Sequence, residues 1–238
     1  MSEEIKKTRR PRRTKKNVEK DVLDAVTSVI EDVGFGKVTL KEIAQRAKIE
    51  ASVFYRRYNN LEELFDQYTK KYDYWFGSIA IKMPIDLNDE ESFKWIVQNL
   101  AKELYNNKIM QRILMWELCD ENPITRRTAV QRETLNNSLI QLLEQRFAGS
   151  GLDINVLAAI CISGVYYLIM HQHISKFCDV DFSTKTGKKR LENALDQLIS
   201  LFFSELKHQQ EKREIAQRLK DAGVSQHVID RCIELKNS

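Results

Sequence analysis

Proline and glycine are scarce in this 238-residue chain, at 3 and 8 residues. Short strands joined by tight turns need both, so their scarcity disfavours a many-stranded fold and favours long helices. No C-x-x-C pair is present. Cys119, Cys161, Cys178 and Cys232 lie far apart, which points to reduced, mostly buried thiols rather than a disulfide framework or a metal site. His171 and His173 stand two apart on an expected helix, where i and i+2 do not face each other, so neither a metal nor a cofactor is expected. The chain holds no P-loop, no G-x-S-x-G and no H-E-x-x-H, and no nucleophile sits beside a base. An enzyme is therefore not expected. The opening residues are charged and lack the apolar stretch of a secretion signal. The most apolar run, residues 156–170, is shorter than the roughly 18 residues of a bilayer span and is interrupted by Cys161, Ser163, Gly164 and two tyrosines. A cytoplasmic protein with no membrane partner is the expectation.

What is present is an uneven distribution of charge. Residues 1–60 carry 15 Lys/Arg against 9 Asp/Glu, a net of +6, while residues 61–238 carry 23 against 25, a net of −2. The N-terminal quarter is thus the end suited to a polyanion. Its first segment, residues 6–16, reads KKTRRPRRTKK, with eight basic residues and no acid. Self-repulsion and the lack of apolar side chains predict a disordered arm over residues 1–16. Two readings of it stand open: a solubilising tail, or an extension in which Arg12 and Arg13 reach into a narrow A·T-rich minor groove.

Beyond the arm, apolar residues recur at helical spacing almost to the end, and no stretch alternates as a strand does. Val18, Val22, Val26, Val29 and Ile30 mark a first helix that Gly34 stops. Thr39 with Glu42 makes a capping box for a short helix over residues 40–47. A three-residue turn, Lys48-Ile49-Glu50, leads to a second short helix over residues 51–58. A fourth starts near Leu61 and is expected to run to about Ile81. Later helices are expected over residues 92–105, 108–119, 125–147, 154–176 and 189–209, with a closing pair ending near Leu235. The expected fold class is all-α: an N-terminal three-helix helix-turn-helix domain (residues 17–66), a helical-bundle ligand-binding and dimerisation domain (67–209) and a C-terminal helical hairpin (210–238).

Residues 38–64, VTLKEIAQRAKIEASVFYRRYNNLEEL, carry the functional signal. Two short helices joined by a three-residue turn can pack steeply, so that the second projects into a DNA major groove. Ile43, Ala44, Ala47, Ile49, Phe54 and Tyr58 supply a small core. Ala51, Ser52, Tyr55 and Arg56 form one outward stripe, which Arg57 extends. A solvated helix face is the alternative reading of Arg56 and Arg57.

This stretch resembles the DNA-binding domain of the TetR family of regulators, whose pattern is roughly T-x-x-x-I-A-x-x-A-G-V-S-x-x-x-L/F-Y-x-x-F-x-x-K-E-x-L. Thr39, Ile43, Ala44, Ala47, Ile49, Phe54, Tyr55, Tyr58, Glu62 and Leu64 fit it, and the resemblance covers residues 18–68. Three positions depart from it. Lys48 replaces the turn glycine, Glu50 replaces the capping serine, and Leu61 replaces a phosphate-contacting lysine. The resemblance implies phosphate contacts from Thr39, Tyr55 and Arg57, and base-edge or groove contacts from Lys41, Ala51, Ser52 and Arg56. It further implies a transcriptional repressor that leaves a palindromic double-stranded DNA operator when a small molecule binds. The implied homodimer forms through the helices at about residues 154–176 and 189–209. Trp95, Tyr105, Trp116, Cys119, Tyr166 and His171 are candidate contacts for a small apolar or aromatic ligand, and ordinary core or interface is the other reading of each. A helical interaction protein that has kept the fold without specific DNA binding is the competing class.

Overall fold

The computed structural model describes residues 15–234, and the basic arm with Arg12 and Arg13 lies outside the described residues. Every extended regular element among them is helical, as the sequence pattern requires. The helices are α1 (Lys15–Val33), α2 (Leu40–Ala47), α3 (Ala51–Tyr55), α4 (Leu61–Thr69), α5 (Trp75–Ala80), α6 (Asp89–Asn106), α7 (Lys108–Cys119), α8 (Pro123–Arg146), α9 (Ile154–His171), α10 (Lys185–Asp221) and α11 (Gln226–Glu234). Short 3-10 turns lie at Phe35–Lys37 and Lys70–Tyr72.

By internal contacts the chain divides into two units. One holds the residues up to Asp73 together with Lys108–Ala129; the other holds Tyr74–Asn107 and everything from Val130 onward. In the first unit, α1 buries Val22, Val26, Val29 and Ile30. Removing such apolar area from water supplies about 25 cal/mol per Å² and drives α1 onto its neighbours. Polar clamps set their register. Arg46 of α2 reaches Asp32 and Ser28 of α1, both at 2.6 Å. Tyr68 of α4 shares a hydrogen bond with Thr27 at 2.8 Å, and its own burial raises the phenol's pKa well above the ordinary value. Phe35 stacks on Trp116 of α7 with ring centroids 4.4 Å apart, and Phe65 meets both rings edge-on. Arg127, in the first turns of α8, hydrogen-bonds Asp66, Thr69 and Asp73.

The second unit packs α6 against α9 and α10. Asn88 opens α6 with a full capping box to Glu91. Helix α9 buries Ile154, Ala158, Cys161, Val165 and Ile169, one stripe at helical spacing. With 18 residues and a mean hydropathy of 1.8, it does reach the length and apolarity of a membrane-spanning helix. Its serine, cysteine, glycine and tyrosines interrupt the run without lowering the mean enough to prevent this.

The elements depart from the sequence expectation in several places, and α9 ends at His171 rather than at about Lys176. The fourth helix does not run on to Ile81. It ends at Thr69, and a 3-10 turn followed by a turn at Asp73 and Tyr74 separates it from α5, beside the point where Arg127 holds Asp73 at 2.7 Å. Helix α10 starts before Gly187, which reads as loop in the sequence. Thr184 caps it, and the Asp181 carbonyl lies where a Cβ on residue 187 would sit, so only glycine allows this close approach. The same helix passes Gln209 without a break and continues for 37 residues. The polar stretch there holds no proline or glycine to stop it. A hairpin does form at the end of the chain, turning at Gly223 with φ +79° and seating Ile229 of α11 in a buried position.

Candidate nucleic-acid interface

The candidate interface is built on the α2–α3 corner. Thr39 caps α2: its hydroxyl accepts from the Glu42 amide at 3.3 Å and donates to the Glu42 carboxylate at 2.9 Å. The turn then needs a left-handed residue, and Lys48 supplies it at φ 52°, ψ 48°. That conformation costs an L-residue with a Cβ roughly 1–2 kcal/mol, and explains why glycine is the commoner choice at such a position. Glu50 begins α3 without any side-chain cap, so the helix start is held by the backbone and by packing. Phe54 and Tyr58 are buried and contact each other, while Ala44 and Ile49 are half-buried. Helix α3 is shorter than expected, ending at Tyr55, and Arg56 and Arg57 continue as a turn.

The outward stripe is real. Ala51, Ser52, Tyr55 and Arg56 are all exposed, Tyr55 by 57%. Lys41 and Thr39 on α2 are exposed as well. Arg56 lies back along the helix, its Nε 3.2 Å from the Ser52 carbonyl, so its outer nitrogens stay accessible. Such a surface offers guanidinium, ammonium and hydroxyl donors to phosphates and base edges, plus an alanine methyl for thymine.

Arg57 stands apart from this stripe. It is only 22% exposed and pairs with Glu19 of α1. It also hydrogen-bonds toward Tyr58, whose pKa burial raises. In this structure Arg57 ties the turn after α3 to α1 rather than facing outward. Asn60 caps α4, accepting from the Glu63 amide at 2.8 Å, and Glu63 accepts in return from the Asn59 amide at 2.8 Å. Sequence reasoning missed this cap, although Asn60-x-x-Glu63 is a recognisable capping pattern. Leu61, where the family pattern has lysine, is half-buried.

A sequence model described as "Bacterial regulatory proteins, tetR family" matches residues 22–68. Over that stretch the head carries the TetR-family sequence pattern. The head spans α1 to α4, and about three quarters of the chain shares the fold of solved TetR-family regulators. A TetR family transcription regulator from Marinobacter aquaeolei VT8 superposes with a TM-score of 0.55 at 16% identity, covering 77% of this chain and 95% of that one. GusR of Salmonella enterica gives 0.54 at 13% identity, over 77% and 95%. The fatty acid degradation regulator FadR of Bacillus halodurans gives 0.51 at 18% identity, over 79% and 96%. No curated protein matches the chain in sequence.

The candidate ligand contacts are not gathered in one place. Trp116 and Cys119 belong to the unit of the TetR-family head, whereas Trp95, Tyr105, Tyr166 and His171 belong to the other. Trp116 lines an open cleft of about 1080 Å³. Tyr105 lines a separate one of about 120 Å³, lies under the Lys188 ammonium at 4.3 Å, and has its pKa pushed up to about 12 by burial and by Glu192. His171 stacks on Tyr167, Cys119 is exposed, and Trp95 and Tyr166 are half-buried. Among the described residues no group of three His, Cys, Asp or Glu is placed to hold a metal ion.

Proposed function

We propose that this protein is a sequence-specific transcriptional regulator that binds DNA as a homodimer and represses from a palindromic operator until a small molecule releases it. The observation that carries this reading is the α3 stripe of Ala51, Ser52, Tyr55 and Arg56, presented outward by a buried α2–α3 corner within the family-matched segment. Tyr55 and Thr39 are the proposed phosphate donors. Lys41, Ser52 and Arg56 are the proposed base-edge donors, and Ala51 the proposed thymine-methyl contact. Arg57 takes a phosphate only by leaving Glu19. The basic arm, with Arg12 and Arg13, is proposed to add groove and phosphate contacts.

Two bared apolar faces in the second unit support the dimer. Helix α9 exposes Val156, Ile160 and Tyr167 on the side opposite its buried stripe, and α10 exposes Leu198 and Leu201. Apolar surface of this extent on long helices is characteristic of an interface. A two-fold pairing there joins two copies of α3 in one assembly, and a palindrome offers two matching half-sites.

The test is a fluorescence-anisotropy titration of the protein against DNA from upstream of its own gene and against a scrambled duplex, at two salt concentrations. Preference for the upstream DNA by ~10³ or more is expected of a specific regulator. Equal, weak and equally salt-sensitive binding to both points instead to a helical protein with a basic arm and no specific DNA site there. Removing residues 1–16 should flatten the salt dependence, and an unchanged slope would refute a phosphate role for the arm.

A further inference from the structure

The unit that contains the head also carries an open cleft of about 1080 Å³, at the upper end of the size range of small-molecule sites. It is lined by Phe35, Gly36 and the Asn59–Asp66 stretch, together with Trp116, Asp120 and the start of α8 through Arg127. The Phe35–Trp116–Phe65 cluster gives it an aromatic side, and Leu61, Pro123 and Ile124 add aliphatic surface.

Its charge is one-sided. Glu62, Glu63, Asp66 and Asp120 line it, against Arg127 as the single basic residue. Arg127 is already matched, by Asp66 and by Asp73. Glu63 is used by Asn59 and Gln67, and Asp66 also pairs with Lys70. Asp120 differs. Its Oδ2 accepts from Trp116 Nε1 at 2.9 Å and from Asn122 at 3.2 Å, and among the described residues no cation pairs with it. It also follows the C-terminal end of α7, where the helix dipole adds negative potential. Glu62 accepts from the Asn60 amide at 3.2 Å, and among the described residues no cation pairs with it either. Two carboxylates that no cation among the described residues matches, beside a stacked aromatic face, form an environment suited to an organic cation with an apolar body.

We propose that this cleft is an effector site for an organic cation with an aromatic body, read by Asp120 and Glu62 and stacked beside Trp116. The effector role rests on the proposed DNA-binding function, while the binding itself does not. Asn59, Asn60 and Leu61 join the end of the recognition segment to α4, and Leu61 also borders a shallower depression with Phe54 and Tyr55. An occupant wedged between Asn59–Leu61 and the α7–α8 corner therefore acts on the pose of α3, and it lowers operator affinity.

The test uses three probes of similar build and different charge: tetraphenylphosphonium, triphenylphosphine oxide and tetraphenylborate. Titrated into the full chain without DNA, the cation should bind saturably and at least tenfold tighter than the neutral and anionic probes. Its quenching of tryptophan emission should disappear in Trp116→Phe. Asp120→Asn with Glu62→Gln, both at exposed positions and so compatible with folding, should weaken it about tenfold or more. Circular dichroism checks that these variants fold. Equal binding of all three probes, or cation binding indifferent to both carboxylate changes, overturns the site. With upstream DNA present, saturating cation should raise the Kd for DNA at least tenfold, and unchanged affinity despite cation binding overturns the effector role. A protein that prefers no DNA yet binds the cation as described leaves the site standing and removes the regulator reading.

Discussion

Arg127 offers the sharpest test of how the head's unit is held together. Its guanidinium donates to Asp66 Oδ1 at 2.9 Å, Asp73 Oδ2 at 2.7 Å, Thr69 Oγ1 at 2.8 Å and the Asp66 carbonyl at 3.4 Å. The Asp66 arm is a third exposed and so resembles a surface ion pair, contributing about 0–1 kcal/mol. The Asp73 arm is different, because that side chain is only 9% exposed and its Oδ1 is buried with no hydrogen-bond partner. Truncation to alanine strands a carboxylate away from water and leaves the buried Thr69 hydroxyl short of a donor. Charge-assisted bonds contribute about 1.5–3 kcal/mol each, so Arg127→Ala should cost about 3 kcal/mol. With a slope of about 2 kcal/mol/M, urea unfolding followed by circular dichroism and tryptophan fluorescence should show the midpoint falling by more than about 1 M. The partner change supplies the decisive sign. Asp73→Asn should destabilise the wild type but restore about 1–2 kcal/mol in the Arg127→Ala background, because it removes the stranded charge. Arg126→Ala, whose partner Glu121 and own side chain are both more than 70% exposed, should cost well under 1 kcal/mol. If Arg127→Ala is no worse than Arg126→Ala, or if Asp73→Asn acts with one sign in both backgrounds, the buried-charge reasoning is wrong.

Other outcomes can be stated more briefly. Arg56→Ala should cost about 1–3 kcal/mol of DNA binding and relax preference at one base pair, whereas Arg57→Ala should first lower thermal stability through the lost Glu19 pair; competition titrations and melting curves separate the two. Leu61→Lys, which restores the family's residue, should tighten DNA binding and steepen its salt slope by about one, and an unchanged slope would show that this position meets no phosphate. Lys48→Val should lower the melting temperature, costing about 1–2 kcal/mol at φ 52°, while Lys48→Gly should be neutral to mildly stabilising. Asp66 is held below the usual carboxylate range, first by the Lys70 hydrogen bond and then by Arg127 against the opposing effect of burial. Its contribution is therefore complete above the unfolded pKa near 4 and is lost as pH falls through the lower folded value, so Lys70→Ala should leave the protein less stable at neutral pH with the difference shrinking under acid. Ile160→Arg should convert dimer to monomer in light scattering and weaken DNA binding without unfolding the chain.

Much of the head was legible in the chain itself. The bounds of α2, the Thr39 cap and the outward stripe on α3 follow from local rules, because capping, helical periodicity and a steep three-residue turn act over a few residues. The all-helical class followed equally from the lack of proline, glycine and alternation. The breaks were harder. Nothing near Lys70 in the sequence ends a helix, and Gly187 reads as loop although it lies in the first turn of α10, because the first depends on Arg127, more than 50 residues away, and the second on the Asp181 backbone. The same physics governs the functional residues. That Ser52 and Arg56 point outward was written in their spacing, while the inward turn of Arg57 needed Glu19, 38 residues earlier, to lie beside it. The cleft lined by Phe35 and Trp116 has no local signature at all. It exists because two aromatic rings 81 positions apart stack while the carboxylates around them come from two separate segments. Short-range propensities and periodicity therefore determined what kind of element each segment forms. Only the tertiary structure decided which charges meet, where helices end and where space is left for a ligand, since those depend on partners that distance along the chain conceals.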